Sequence, residues 1–360
     1  MTRRRTRYAV VGLGYIAQAS VLPAFDNARK NSELVALVSG DRDKLRQLCD
    51  IYGVNGYTYE QYDDLMASGD VDAVYVALPN DQHHDYTIRA ARAGVDVLCE
   101  KPMAVTAREC EEMIRVCAQN DVKLMVAYRL FFDEGHRKAM DLVHGGRLGA
   151  VRLYHSLLTM QVKQGDIRLS TARGGGTLYD IGVYCINTAR HVFAAEPEEV
   201  FAWTGAADEP RFGEVEEMCS AVMRFPGDRI ANFSCSFGAA RQSTWVAVGT
   251  EGVLHVEPAF DIDEELRHVM IVGGRKKERV FAPHDQFAAE LTHFSRCVQE
   301  GAEPDSSGRE GLADVRIIQA LYQSAAEGHP IRLVPQDVRP PTPGATEPPA
   351  MEPPREPPER

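Results

Sequence analysis

The chain has 360 residues, 44% hydrophobic and 26% charged, enough apolar material for two globular domains or one large one. A formal net charge of −12 argues against a nucleic-acid partner, because phosphate binding needs a basic surface. The eight cysteines show no CxxC pair and no repeated spacing, so they read as small apolar core residues in a reducing compartment, not as a disulfide framework or a metal site.

Arg3-Arg4-Arg5 ahead of Ala9-Val10-Val11 has the outline of a twin-arginine export signal. The apolar run is too short for one and passes straight into Gly12-Leu13-Gly14, with no small-residue cleavage site. No stretch reaches the length of a membrane span, so the expected address is the cytoplasm, with no membrane partner.

Tyr8-Ala9-Val10-Val11 reads as a buried strand that enters Gly12-Leu13-Gly14-Tyr15-Ile16-Ala17, a GxGxxA form of the dinucleotide fingerprint. The first glycine makes the tight turn and the second admits a pyrophosphate. The small third residue lets the helix pack on the strand, and the helix N-terminus faces the phosphates. A second strand over 34–38 ends at Ser39-Gly40, where an NAD enzyme usually carries an acidic residue for the ribose hydroxyls. With Arg42 and Lys44 just beyond, this pattern favours NADP; Asp41 stands close enough to reach a ribose as well.

A strand over 71–78 closes on Pro79-Asn80, and Asp81-Gln82-His83-His84 opens the next helix. Neighbouring residues on a helix point apart, so the two histidines suit a helix cap and phosphate-side loop better than a metal site. The strand Asp96-Val97-Leu98-Cys99 leads to Glu100-Lys101-Pro102, which places a lysine where open α/β sheets hold their ligands. A helix over 107–120 and a strand over 123–127 complete a doubly wound parallel sheet, the expected N-terminal domain at 1–127.

From Tyr128-Arg129 the pattern changes. After a helix reaching about residue 142, strands are expected over 150–160, 200–204, 217–224, 230–237, 244–248, 252–257 and 269–272, with few helices between them. A mainly antiparallel open sheet follows, in an α/β domain over 128–335. The exception is the helix after Arg173-Gly174-Gly175-Gly176, where Asp180 and Tyr184 stand four apart and share a face, with Gly182 adding no bulk beside them. Two late helices, 285–300 and 308–327, are expected to pack back on the body. The Pro- and Glu-rich tail at 336–360 is expected to be disordered.

Taken together, GLGYIAQ, LPN, EKP, the Tyr128-Arg129 pair and GGGTLYDIGVYCIN resemble the glucose-fructose oxidoreductase, inositol dehydrogenase and MocA family. The similarity is greatest to the glucose-fructose branch, through SGDRDK, RFGEVEE over 211–217 and GLADVRIIQALY over 311–322, and spans roughly residues 8–335. The resemblance implies a Rossmann domain plus an α/β domain whose open antiparallel sheet mediates a homo-oligomer, a dimer or tetramer. It implies a catalytic lysine at Lys101 and puts Tyr184 where many members carry histidine; Asp180 is expected to hold the sugar or to position Lys101. The cofactor site it implies takes in Gly12, Leu13, Gly14, Tyr15 and Ile16, then Ser39, Gly40, Arg42, Lys44 and Tyr59. It continues through Leu78, Pro79, Asn80, His83, Glu100, Lys101, Arg129 and Arg168. Substrate falls to Lys101, Arg129, Asp180 and Tyr184. The exported glucose-fructose enzyme has a signal peptide and a long N-terminal arm over its cofactor; neither is expected here, which puts permanent NADP retention in question.

The expected activity is oxidation of a cyclic aldose at C1 to its lactone, with NADP as hydride acceptor and Tyr184 as acid/base. A phenol titrates near ~10, so it needs the neighbouring Lys101 charge to work near neutrality. An aldose–aldose type oxidoreductase that recycles bound NADP on a second sugar is the alternative within this chemistry. An NADP-sensing regulator on the same fold is the alternative outside it.

Overall fold

The computed structural model describes residues 4–334. The expected disordered tail lies outside the described residues.

Six strands form the first sheet: β1 (Thr6–Val11), β2 (Ser32–Val38), β3 (Asn55–Tyr57), β4 (Ala73–Val76), β5 (Asp96–Glu100) and β6 (Leu124–Ala127). All pair in parallel in the order β3-β2-β1-β4-β5-β6. Helices cover both faces, so the strands carry continuous apolar runs; β4 and β6 are buried at every position. The order reverses between β1 and β4, and a crevice opens there at the carboxyl ends of the strands.

The second sheet holds nine strands: β7 (Val151–Gln161), β8 (Glu199–Gly205), β9 (Met218–Phe225), β10 (Arg229–Ser236), β11 (Gly238–Gly249), β12 (Gly252–Glu257), β13 (Leu266–Val272), β14 (Arg275–Phe281) and β15 (Ile331–Arg332). Their order is β14-β13-β12-β11-β7-β10-β9-β8-β15. Only the central β7–β10 pair is parallel; the remaining pairs are antiparallel. Burial alternates strictly along β9, with Cys219, Ala221, Met223 and Phe225 inward. Helix Val183–Phe193 lies on this inner face, where Phe193 and Phe225 rings sit 4.7 Å apart.

Three strands depart from expectation. β3 and β15 are only three and two residues long, too short for a period to show. β14 reads RKKERVF and is exposed at all but its last residue; its charges mark a protected sheet edge, not a loop.

The late helix Gln286–Glu300 returns to the first sheet. The Tyr8 hydroxyl bonds Ser295 at 2.8 Å, and Asn27 donates to Asp285 at 2.8 Å. The sheets are also joined through one buried charge cluster. Arg190 is fully buried and pairs with Glu196 (2.7 Å), Glu310 (3.0 Å) and Asp314 (2.7 Å), tying helix Val183–Phe193 to helix Gly308–Glu327. Burial alone would raise the Glu310 carboxyl, but the Arg190 charge outweighs it and holds the group at about 2. Asp314 goes the other way: burial dominates and lifts it to about 6, while Tyr128 and Asn187 hydroxyl and amide groups donate to it. Replacing Arg190 by Met strands these carboxylates in the interior. The expected cost is about 3–5 kcal/mol, read as a lower midpoint in urea unfolding.

Candidate active site

The crevice at the switch point is a groove of about 770 Å³ running between the two sheets. Its floor begins at the fingerprint turn. Gly12 has φ +91°, and a Cβ there would lie 2.5 Å from the Ala77 carbonyl oxygen, so only glycine fits. Gly14 has nothing within 4 Å of its missing Cβ, which leaves open backbone facing the groove. Ala17 is fully buried against the sheet. These are the features a dinucleotide pyrophosphate requires: a tight turn, open backbone and a close helix contact. The chain therefore fits the cofactor that its fingerprint implies.

At one end of the groove lie Ser39, Gly40, Lys44 and Tyr59. The Ser39 hydroxyl accepts from the Asp41 amide (3.2 Å). Asp41 in turn caps helix Arg42–Tyr52, accepting from the Lys44 amide at 3.1 Å and pairing with Lys44 Nζ at 3.4 Å. The Asp41 carboxylate thus holds a helix end and a lysine. Arg42 is exposed and is the one residue of the expected set that does not line the groove: as the first residue of that helix it points to solvent.

Leu78, Pro79, Asn80 and His83 form the middle of the floor. His83 is fully buried, and its ring nitrogens bond the carbonyls of Leu78 (2.8 Å) and Pro102 (2.9 Å), so it rivets the loop after β4 to the turn after β5. His84 points elsewhere, to Glu112 at 3.1 Å.

The other end of the groove holds the charged constellation. Lys101 follows β5, and the Lys101–Pro102 peptide is cis. Lys101 Nζ donates to the Asp180 carbonyl (2.7 Å) and to Asp180 Oδ1 (3.2 Å). Arg168 Nε takes Asp180 Oδ2 at 2.7 Å and the same guanidinium pairs with Asp166 at 3.3 Å. Burial alone would raise the Asp180 carboxyl, but Lys101 and Arg168 outweigh it and hold it at about 2. Burial likewise works against the Lys101 ammonium, and Asp180, Tyr184 and Glu100 overcome it, so the lysine is held above its ordinary value.

Tyr184 lies between two cations, with Lys101 Nζ 4.7 Å and the Arg129 guanidinium carbon 5.1 Å from its ring centre. Arg129 is itself buried, donating to Gln286 (2.7 Å) and to the Phe260 carbonyl (2.5 Å). Behind Lys101, the Tyr75 hydroxyl bridges the buried carboxyls of Glu100 (2.9 Å) and Glu290 (3.4 Å). Burial raises both carboxyls, Glu290 well above the carboxylate range because Glu100 stands beside it.

Asp180 and Tyr184 do share a face, though not on a regular α-helix. Leu178–Gly182 forms a π-helical turn, and α-helix begins at Val183. The expectation for Gly182 is corrected: it faces away from the site, and a Cβ there would stand 3.1 Å from Leu178 and 3.4 Å from Cys235 Sγ, so the glycine serves contact with the core.

Several lining residues have no local motif. Asp166, Ile167 and Arg173 come from a loop after β7, Ile262 from the turn before β13, and Phe287 from the returning helix. Only contacts distant in sequence bring them to the groove.

Residues 6–128 match the oxidoreductase family with an NAD-binding Rossmann fold, GFO/IDH/MocA, and residues 136–255 match the GFO/IDH/MocA C-terminal domain. A D-xylose 1-dehydrogenase [NADP(+)] from Haloarcula marismortui is 33% identical over 92% of this chain and 94% of that protein. The crystal structure of an aldose-aldose oxidoreductase from Caulobacter crescentus, complexed with glycerol, superposes with a TM-score of 0.87 at 38% identity, covering 92% of this chain and 100% of that one. A 3-ketoreductase from Actinomadura kijaniata in complex with NADP and TDP-benzene gives a TM-score of 0.82 at 27% identity, over 89% of this chain and 98% of that one. With both halves of the chain matched and its fingerprint and lysine–aspartate–tyrosine cluster in one groove, the protein belongs to the GFO/IDH/MocA family of oxidoreductases.

Proposed function

We propose that this protein is an NADP-dependent sugar oxidoreductase that oxidises a cyclic aldose at C1 to the lactone. Residues 1–127 hold the cofactor, and 128–335 supply substrate and subunit contacts. The reading is carried by the convergence of Lys101, Asp180 and Tyr184 at the end of a groove whose other end holds Ser39, Lys44 and Asp41, the last paired with Lys44. A hydroxyl and an ammonium there suit a 2′-phosphate.

Bound NADP supplies the hydride acceptor. The chain's own groups handle the proton. As C1–H leaves with its electron pair, the C1 hydroxyl proton passes to the Tyr184 oxygen and the C1–O bond becomes a carbonyl. The Lys101 ammonium beside the ring stabilises negative charge on that oxygen while it is without its proton. Asp180 fixes Lys101 through two of its oxygen atoms and keeps it charged, and the Arg129 guanidinium packs on the Tyr184 ring. Met160, Ile167 and Ile262 supply the apolar part of the wall, which gives the sugar ring a face to lie on.

A second reading is favoured by the 38% identity to an aldose-aldose oxidoreductase: the same half-reaction with NADP kept in place and reoxidised by a second aldose, which is reduced to a polyol. Nucleotide that copurifies with the protein, together with ping-pong kinetics, supports this version. Release of free NADPH with lactone accumulation supports a dehydrogenase.

The outer face of the nine-stranded sheet is proposed as the contact to a second copy of the chain. Trp203 is 66% exposed there, with the Phe201 ring 4.3 Å away and Met218 and Val222 on the neighbouring strand, while the exposed Leu153–Ile230 pair lies further along the same sheet; exposed apolar groups of this kind mark an interface.

Tyr184→Phe is expected to lower kcat about a hundred- to ten-thousandfold with NADPH affinity kept, as is Lys101→Met; near-wild-type turnover of Tyr184→Phe against an aldose panel removes tyrosine from the role. Asp180→Asn takes away the carboxylate that keeps Lys101 charged against burial. The ammonium's pKa then falls, so the alkaline limb of kcat/KM moves to lower pH; an unmoved limb means that Lys101 does not carry it. In sedimentation velocity the wild type is expected as a dimer or larger, and the double variant Trp203→Glu, Val222→Glu as a monomer.

A further inference from the structure

The loop after β7 crosses the groove. It is tied to its own half of the molecule: the Thr171 amide and the Ser170 hydroxyl donate to the Glu214 carboxylate (3.1 and 3.2 Å), and the Thr171 hydroxyl donates to the Glu214 carbonyl (2.7 Å). Its far end reaches the Rossmann half. Asn80 Nδ2 donates to the Gly174 carbonyl at 2.9 Å, and Arg173 pairs with Asp81 at 3.3 Å. Arg168, Arg173 and Gly175 of this loop line the same groove as Gly14, Tyr15 and Asn80 of the Rossmann half.

Glycines make this crossing possible. Gly174 has φ +72°, and a Cβ there would lie 2.6 Å from Val105 and 2.9 Å from Asn80. A Cβ on Gly175 would lie 2.3 Å from the Arg168 carbonyl oxygen. Part of the glycine run ahead of Asp180 therefore lets one loop press against the Rossmann half on one side and against its own Arg168 turn on the other.

We propose that the segment 166–176 is a clasp over the cofactor groove, latched by Arg173–Asp81 and Gly174–Asn80, and that Arg173 is a positioning residue that sets how long NADP stays bound. The proposal rests on the NADP reading above. Arg173 acts through Asp81: the ion pair holds the loop down across a nucleotide lying between it and the fingerprint turn. The latch is small and half exposed, with Arg173 at 46% and Asp81 at 29%, so it contributes modestly and opens readily. That suits a gate on release better than a permanent seal.

The test is stopped-flow release of NADPH from the loaded full-length protein, followed by nicotinamide fluorescence after mixing with excess NADP. Arg173→Met and Asp81→Asn are each expected to release NADPH about three- to fivefold faster, the range that an ion pair of up to about 1 kcal/mol allows. The charge swap Arg173→Asp with Asp81→Arg is expected to bring release back to within about twofold of wild type. A merely structural role for Arg173 does not predict that rescue. Asp81→Asn keeps the shape of the site and carries the test if Arg173→Met does not fold. Wild-type release rates in both single variants, or no rescue in the swap, overturn the clasp while leaving NADP binding intact. A wild type that binds no NADPH overturns the cofactor reading itself, and the clasp with it.

Discussion

The bond between Lys101 and Asp180 is the contact on which the site depends. Lys101 stands at the end of a strand in the parallel sheet, and Asp180 on a π-helical turn under the nine-stranded sheet, so one partly buried ion pair sets the distance between the two halves at this end of the groove. Neither partner is at ease alone. Burial opposes the lysine's charge and the aspartate's charge, and each is kept ionised by the other with Arg168 in support. Removing either one leaves a buried charge without its partner, which costs far more than an exposed pair would. The pair fixes geometry, and its contribution to net stability is secondary. Tyr184, one helical turn on, is placed against Lys101 by the same constraint.

Two further charge clusters act at a distance from the groove. Tyr75, Glu100 and Glu290 lie behind Lys101, with Glu290 on a helix nearly two hundred residues later in the chain. Burial pushes the Glu290 carboxyl well up, and the Tyr75 hydroxyl stands between it and Glu100, donating to Glu100 at 2.9 Å. Glu100 then accepts from both Tyr75 and the Lys101 amide (3.2 Å), which steadies the backbone that carries the lysine. Arg190 does comparable work on the other side, locking the helix of Tyr184 to helix Gly308–Glu327.

How much of this was legible in the sequence follows from the range of each interaction. The fingerprint turn, the parallel strands and the Glu100-Lys101-Pro102 turn were readable because each is local: Gly12 is demanded by the Ala77 carbonyl at its back, and buried strands show as apolar runs. Asp180 and Tyr184 were readable as neighbours because one helical turn separates them, although the π-helical turn itself left no pattern. Arg42 was harder to place, because a cation near a phosphate site looks the same in sequence whether it faces in or out; Lys44 and Asp41 line the groove, and Arg42 is exposed beyond it. Gly182 was misread for a similar reason, since spacing says which residues share a face but not what the opposite face touches. Phe287, Gln286 and Glu290 were invisible because they reach the site only after the chain has built a whole second sheet and returned.

Retention of the cofactor separates the two forms of the proposed chemistry more than catalysis does. Both oxidise the first sugar with the same lysine, aspartate and tyrosine, and they differ only in whether nucleotide leaves before a second sugar arrives. That difference is a ratio of rates, so a factor of ten in release, about 1.4 kcal/mol, can move an enzyme from one behaviour towards the other with no change in the reacting groups. An N-terminal arm is one way to slow release. In this protein a loop of the second half already spans the groove and is fastened at Asn80 and Asp81. In the proposed chemistry, the residues that decide whether a second sugar is reduced therefore need not touch the sugar. They can sit where a nucleotide would have to pass on its way out.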